Sequence, residues 1–363
     1  MARYYDDNLF SNGRKRSAGR IAVPVILLIL IALVFVYNLF YNTRPVLQKQ
    51  SVTITDLPSS LEGFKILHLS DLHGSLFGSM QEQLLSLIDD QNYQAVCVTG
   101  DITDKNGNPR ALTRLLAGLP DQIPVFFIAG DEDPQPITLS DDGTSFAYAP
   151  YIRTLQNAGA IYLDAPIAVE YNNARVWFAP EMLYSLDLEA SKASALKRAE
   201  ELMQTDPNET QAFQLASVQY TLDRFSRLEE AQKTMTSSDI HVALTHVPLS
   251  ASAMRNLHDS YASSNSIYID GVSLVLSGHY NAGQWRIPSL GALYVPSSFS
   301  LSRTGFIPDV QGLVGMQSMM GVTQYISPGL GASDIYPFPI SMGRFLNRPA
   351  MTLITLTSKL TVR

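Results

Sequence analysis

The sequence predicts an α/β fold whose parallel strands deliver metal-type ligands to one edge of a sheet, and two observations carry that expectation. Five short apolar runs rich in β-favouring residues each end in Asp or His. Between the earlier runs lie segments with apolar residues at helical spacing, the alternation that βαβ crossovers need. In open α/β sheets ligands gather at the carboxyl ends of the strands, so the polar tips are the candidate functional residues.

The runs follow in order. Residues 64–69 lead into Asp71 and His73, which stand one residue apart and can turn toward a single cation. Residues 95–99 lead to Gly100-Asp101, with Asp104 three residues on. Residues 125–129 lead to Gly130-Asp131-Glu132-Asp133, 242–245 to His246, and 274–277 to Gly278-His279-Tyr280-Asn281. Glycine before the polar residue lets the chain turn sharply and approach the site closely. His68 and His241 lie within or at the start of runs, so a core or surface role is expected for them.

Helices are expected over 81–90, with Leu84, Leu85, Leu87 and Ile88 on one side, and over 109–116. There Asn108 and Pro109 supply the start and Gly118 the stop. A third is expected over 150–156. Strands over 161–163 and 174–178 around an Asn172-Asn173 turn are taken to open a second sheet. Residues 181–236 are rich in Ala, Leu, Glu, Lys and Gln and break at Thr205-Asp206-Pro207. They predict an inserted helical hairpin, about 186–204 and 208–235, with Leu215, Val218, Leu222 and Phe225 as its apolar stripe. Asn208-Glu209-Thr210 matches a glycosylation sequon and is given no role.

The chain has 363 residues, enough for a sizeable core. Charged residues make up 16% and no basic patch stands out, which argues against a disordered chain and against a nucleic-acid partner. The single Cys97 is expected to be a small buried hydrophobe. Residues 1–20 form a basic tail, with Arg3, Arg14, Lys15, Arg16 and Arg20 against Asp6 and Asp7. Residues 21–41 are then apolar enough to span a bilayer, with Pro24 in the first turn, and no small-residue cleavage site follows. The charge balance predicts a single-pass anchor in the cell membrane, its amino terminus cytoplasmic and the large domain extracytoplasmic.

Taken together, Asp71-x-His73, Gly100-Asp101-x-x-Asp104, Gly130-Asp131-Glu132-Asp133, His246 and Gly278-His279-x-Asn281-x-Gly283-Gln284 resemble the ordered signature of calcineurin-like metallophosphoesterases. Residues 325–331, Asn347-Arg348-Pro349 and the run 351–356 resemble the end of the bacterial membrane-anchored branch. The resemblance implies a four-layer α/β/β/α sandwich of two mixed sheets. The expected organisation is a tail 1–20, an anchor 21–41, a linker and first strand 42–60, and a phosphoesterase domain 61–363 carrying the insertion 181–236. It further implies that Asp71 and His73 hold a first divalent metal, that Asp101 bridges, and that Asp131, His246 and His279 hold a second. Asp104, Glu132 and Asp133 complete the implied catalytic set.

Two positions depart from the family pattern. Glu132 stands where the family usually has a phosphate-contacting His, and Asn281 where it usually has a first-metal His. An amide oxygen coordinates less strongly than imidazole toward Fe, Zn or Mn, and the oxygen-rich donor set favours Mn- or Mg-like ions. Two functions follow as alternatives. One is a phosphoesterase for a phosphate mono- or diester, using two metals, or one where the Asn281 position is weak. The other is a degenerate domain that binds a phosphorylated ligand or partner without efficient catalysis. A tether over 42–50 reaches at most about 30 Å when extended. With Leu76, Phe77 and Met80 beside His73, and an apolar loop at Tyr336-Pro337-Phe338-Pro339-Ile340, this suggests a lipid-linked substrate.

Overall fold

The computed structural model describes residues 19–204, 208–262, 271–287, 290–296, 305–308, 312–335 and 343–359. The break expected at 205–207, the loop 336–340 and most of the basic tail lie outside the described residues. The chain divides into two compact units, one ending at Tyr41 and the other comprising Asn42–Arg363.

The described part of the first unit is helical, in the helix Gly19–Asn42, whose last residue counts with the second unit. It begins before the expected residue 21, so Pro24 sits inside the helix rather than in its first turn. Its segment Val23–Asn42 is long and apolar enough to cross a membrane. Large side chains such as Leu28 and Leu39 stand about two-thirds exposed, an arrangement that water does not favour.

Two six-stranded mixed sheets build the second unit. The first runs, in spatial order, Val46–Thr53, Ala350–Thr357, Lys65–Leu69, Ala95–Thr99, Val125–Ile128 and Ile161–Tyr162. The second runs Gly315–Met319, Val322–Ile326, Leu274–Ser277, Ile240–Leu244, Ala174–Pro180 and Ile167–Tyr171. All five runs that carry candidate ligands are strands, and in each sheet they pair in parallel with one another, so their carboxyl ends share an edge. Residues of the expected linker contribute the strand Val46–Thr53, paired in parallel with Ala350–Thr357. Ile161–Tyr162 pairs with Val125–Ile128 and belongs to the first sheet, so the second opens at Ile167. The Asn172-Asn173 turn does join two strands, Ile167–Tyr171 and Ala174–Pro180, with both residues at positive φ as a tight hairpin turn requires.

Strand alternation divides the core into three slabs. Ile66, Ala95, Cys97, Phe126, Ile354 and Leu356 face Val176, Phe178, Val242, Leu274 and Leu276 between the sheets. Phe126 and Phe178 stack across that slab with centroids 4.8 Å apart. The alternate residues Leu67, Leu69, Val96, Val98 and Phe127 meet Leu84, Leu112, Leu115 and Leu155 of the helices outside the first sheet. Ala179, Ala243 and Val275 meet Phe225, Leu228, Met254 and Leu257 outside the second. The result is the four-layer α/β/β/α sandwich.

The insertion forms two helices, Leu188–Met203 and Glu209–Gln232. Asp187 caps the first by accepting from the Ala190 N–H at 3.0 Å. Asn208 and Gln211 form a capping box at the second, a local role for the first residue of the sequon. The buried stripe is Ala216, Tyr220, Phe225 and Leu228 rather than the expected set, of which only Phe225 is fully buried. Val218 instead lies in the shallow groove between the two helices, because this helix packs against its partner as well as against the domain.

His68 and His241 are buried core residues. His68 Nε2 meets the Thr99 hydroxyl at 2.9 Å and Tyr184 meets His241 Nδ1 at 3.4 Å, while the other ring nitrogens are buried without partners. Burial therefore pushes the His68 pKa down to about 3 and that of His241 to about 4. The unfolded chain, with His near 6.5, takes up these protons first, so stability falls as the pH drops from about 6.5 toward those lower values. Urea denaturation at pH 7 and pH 5 checks this. Replacing His68 with Leu is expected to reduce the loss between those pH values by about 2 kcal/mol.

Candidate metal centre

Each candidate ligand sits on a turn that reverses the chain at the end of a strand. Asp71, His73, Asp101, His279 and Asn281 have φ of 52, 42, 52, 74 and 49°, in the left-handed region that non-glycine residues usually avoid. Each such residue costs on the order of 1 kcal/mol, and the surrounding contacts must hold it there. The Asp71 N–H donates to the Gly100 carbonyl at 3.0 Å, and the His73 N–H to the Asp101 carbonyl at 2.8 Å. Gly130 has to be glycine, because a Cβ there would lie 2.1 Å from Asp101 Oδ1.

Two donor clusters result, and Asp101 belongs to both. Asp101, Asp131, His246 and His279 place ligand atoms within 4.8 Å of one another, and so do Asp71, His73 and Asp101. His246 Nε2 lies 2.7 Å from Asp131 Oδ1 and 3.2 Å from Asp101 Oδ2. His279 Nδ1 lies 2.9 Å from the same Asp131 oxygen. On the other side His73 Nε2 is 3.6 Å from Asp101 Oδ2, and its Nδ1 is 3.5 Å from Glu132 Oε2. The His279 N–H donates to Asp71 Oδ1 at 2.8 Å and so links the two clusters.

The electrostatics show a deficit of positive charge. Burial lifts the Asp71 carboxyl above its usual range, although nearby His246 pulls the other way, and burial likewise lifts Glu132. Burial also acts upward on Asp101 and Asp131, but the facing histidines outweigh it and hold both below the ordinary carboxylate range. Burial works against a charged His246, yet Asp101 and Asp131 push its pKa well above the usual value. His246 Nδ1 donates to the Thr99 carbonyl at 2.7 Å, which directs Nε2 at the carboxylates. A divalent cation can replace the Nε2 proton. Clustered buried carboxylates with three imidazoles, one of them oriented by a backbone carbonyl, form a donor set that fits such an ion.

The sequence-predicted residues divide clearly. Asp71, His73, Asp101, Asp131, Glu132, His246, His279 and Asn281 are brought together. Asp104 and Asp133 stand outside both clusters. Asp133 accepts from the Gly130, Ile102 and Thr103 N–H groups, and Asp104 from those of Asn106 and Asn108. Asn281 turns its Nδ2 toward His73 Nε2 at 3.5 Å and its Oδ1 toward Arg344 Nη1 at 3.3 Å. As arranged here the amide nitrogen, which has no lone pair to offer a metal, faces His73, and a turn of the amide would present Oδ1 in its place.

Arg344 and Ser333 were not singled out from the sequence. Arg344 is buried and donates to the carbonyls of Gly331, Pro328 and Asn347 at 2.8–2.9 Å. Burial lowers its pKa to about 10, partly offset by Asp71, so it stays cationic at neutral pH. The Ser333 hydroxyl donates to Glu132 Oε1 at 2.5 Å. Ser333 and Arg344 fall between the 325–331 run and Asn347, outside any strand-end ligand motif, and an isolated Ser or Arg there carries no periodic or spacing signal.

The model of the calcineurin-like phosphoesterase family matches residues 64–281, more than half of the chain, and the chain belongs to that family. The family supports assignment as a phosphoesterase hydrolase that uses divalent metals. Among curated relatives, a transmembrane protein with metallophosphoesterase domain from Danio rerio is 24% identical over 352 residues. That match covers 94% of this chain and 64% of the relative, so the chain spans somewhat under two-thirds of that relative's length. An uncharacterised metallophosphoesterase of Bacillus subtilis, YkoQ, is 23% identical over 313 residues, covering 85% of this chain and 92% of the relative. Among solved structures, phosphopantetheinyl hydrolase (PptH) from Mycobacterium tuberculosis aligns with 73% of this chain and 89% of its own, at 12% identity and a TM-score of 0.34.

Because Asp101 belongs to both clusters, Asp101→Asn is expected to lower metal content more than any other single ligand change. Elemental analysis of the purified variants checks it. Full metal in Asp101→Asn together with loss in Asp71→Asn would refute the shared role.

Proposed function

We propose that this protein is a membrane-anchored, metal-dependent phosphoesterase acting on a phosphate mono- or diester. The observation that carries the reading is the pair of donor clusters joined through Asp101 at the strand ends. In this reading Asp71 and His73 hold a first ion, Asp131, His246 and His279 a second, and Asp101 both. Divalent ions bound there supply Lewis-acid stabilisation of a phosphoryl group and lower the pKa of water. The chain's own residues do the rest. His246 is fixed in one tautomer by the Thr99 carbonyl. Asp133 fastens the turn after Val125–Ile128 to the turn after Ala95–Thr99, so that Asp101 and Asp131 keep their spacing. Asp104 holds its own loop through two N–H groups.

Glu132 is the proposed proton donor to the leaving group. Burial raises its pKa, while bound cations would act in the opposite sense. The helix ending at Asn42 and the tail charges support an anchor with the amino terminus cytoplasmic. The exposed Leu76 and Met80 near His73 support a lipid-linked substrate.

The orientation of Asn281 favours a second reading, in which the Asp71 side binds its ion weakly and the protein acts as a phosphate-ester binder. Metal stoichiometry separates the two: two equivalents favour the enzyme, one or none the binder. Glu132→His with Asn281→His restores an imidazole at each departure. The double change is expected to raise hydrolysis of an activated phosphodiester at least about tenfold, roughly 1.4 kcal/mol of transition-state stabilisation. An unchanged rate with both ions bound would mean that Glu132 and Asn281 serve a different chemistry. Full-length protein in liposomes, compared with a fragment starting at Asn42, tests the lipid substrate. Selective loss of lipid phosphodiester hydrolysis in the fragment is expected, and equal rates on lipid and soluble esters would refute it.

A further inference from the structure

The helical insertion supplies one wall of a pocket that opens beside the metal centre. The pocket has a volume of about 310 Å3, within the range of small-ligand sites, and His246 lines it. Its floor is apolar and aromatic, with Ile128, Leu163 and Tyr162 from the first sheet and Tyr220 from the inserted helix Glu209–Gln232. Arg224 and Glu181 are the charged groups added by the insertion.

Arg224 is held as a recognition group would be. Its Nε donates to the Asp164 backbone carbonyl at 2.8 Å, its guanidinium lies 5.5 Å from the Tyr220 ring centroid, and Nη2 approaches Met182 Sδ at 3.3 Å. No carboxylate among the described residues pairs with it. The nearby Asp164 carboxylate is taken by Arg227, at 2.6 Å, and by the hydroxyls of Tyr148 and Tyr220 at 2.8 and 3.0 Å. A positioned guanidinium whose remaining N–H groups have no acidic partner binds carboxylate or phosphate oxygens well. Its support is rigid as well, because Tyr220 is buried and packs edge-on against Phe146 at 5.1 Å.

We infer that this pocket receives an organic substituent of the substrate, and that Arg224 selects a phosphate ester in which that substituent carries a second anion on an apolar or aromatic body. The inference rests on the phosphoesterase reading for the position of the reacting phosphate. His246 is the one residue that the donor clusters share with the pocket lining among the described residues, so an ester with its phosphate at the ions would pass its substituent beside His246 to reach Tyr162, Tyr220 and Arg224. Glu181 and Asp164 sit in the same lining; Arg227 pairs with Asp164, and burial raises the Glu181 pKa. The second anion can belong to a soluble ester or to a lipid headgroup.

Direct binding tests this separately from turnover. The Mn-loaded full chain in nanodiscs is titrated with phenyl phosphate and with 4-carboxyphenyl phosphate. In a second arm it is given liposomes of phosphatidic acid or of diacylglycerol pyrophosphate. The expected result is about tenfold tighter binding of the doubly anionic probe in at least one arm. Arg224→Met should abolish that preference, Arg224→Lys should keep part of it, and the affinity for phenyl phosphate and the metal content should stay within about twofold. Glu181→Gln should tighten the doubly anionic probe further. Preference in the soluble arm assigns the anion to a soluble ester, and preference in the liposome arm alone assigns it to a headgroup. Equal binding in both arms, or a preference that survives Arg224→Met, overturns the inference even if the esters are hydrolysed. Preference without hydrolysis supports the subsite and overturns the enzyme reading, and no binding of any probe overturns both.

Discussion

Mutual repulsion among buried carboxylates is the constraint on which this structure turns. Asp71 and Asp101 are almost wholly inaccessible, and Asp131 and Glu132 stand beside them. Like charges at such separations in a poorly solvated site cannot all ionise without compensation. The compensation visible in the chain is partial: Asp101 and Asp131 push the His246 pKa well above its usual value, and the buried Arg344 guanidinium interacts with Asp71. Cations of higher charge would relieve the rest. Metal binding and folding of this edge are therefore coupled, because ions that bind only the native arrangement stabilise it.

The backbone contributes a second cost that only function explains. Five candidate ligand residues at positive φ, each following a strand, would be an expensive way to finish strands in a merely structural protein. The cost is contained by cross-turn bonds, such as Asp133 binding the Gly130, Ile102 and Thr103 N–H groups. An acidic residue outside the clusters thus determines whether two residues inside them keep their geometry. The same logic applies to Asn347, which donates to the carbonyls of Asn281 and Gly283 and pins the turn after Leu274–Ser277.

Much of this was legible in the sequence because it is written in local patterns. A strand followed by Gly and then Asp or His gives both the element and the direction of its tip, as at Ala95–Thr99 before Gly100-Asp101. What was not legible depends on long-range placement. Ile161–Tyr162 reads as a strand, but its sheet depends on pairing with Val125–Ile128, which no local pattern encodes. The buried stripe of Glu209–Gln232 was misread because that helix contacts two partners at once. Asn281 looked like a weak ligand from its residue type alone. Its amide direction is set by Arg344, 63 residues away in sequence.

The insertion shows how a helical hairpin leaving one sheet can reach the ligand-bearing edge of the fold. Its helices leave and return on the second sheet, between Ala174–Pro180 and Ile240–Leu244, yet they are clasped to the first. Asp164, just after Ile161–Tyr162, binds Arg227 and Tyr220 of the inserted helix together with Tyr148. A nearly buried carboxylate with this many donors is costly to break, since removing one partner leaves charge uncompensated. The clasp spans both sheets at the edge where the ligands converge, so the pocket wall and the metal centre share one rigid support. Tyr220 and Arg224 are one helical turn apart on the same face, which places ring and guanidinium together in the pocket while Arg227 holds the clasp. A single helix thus both ties the insertion down and shapes what can lie beside His246.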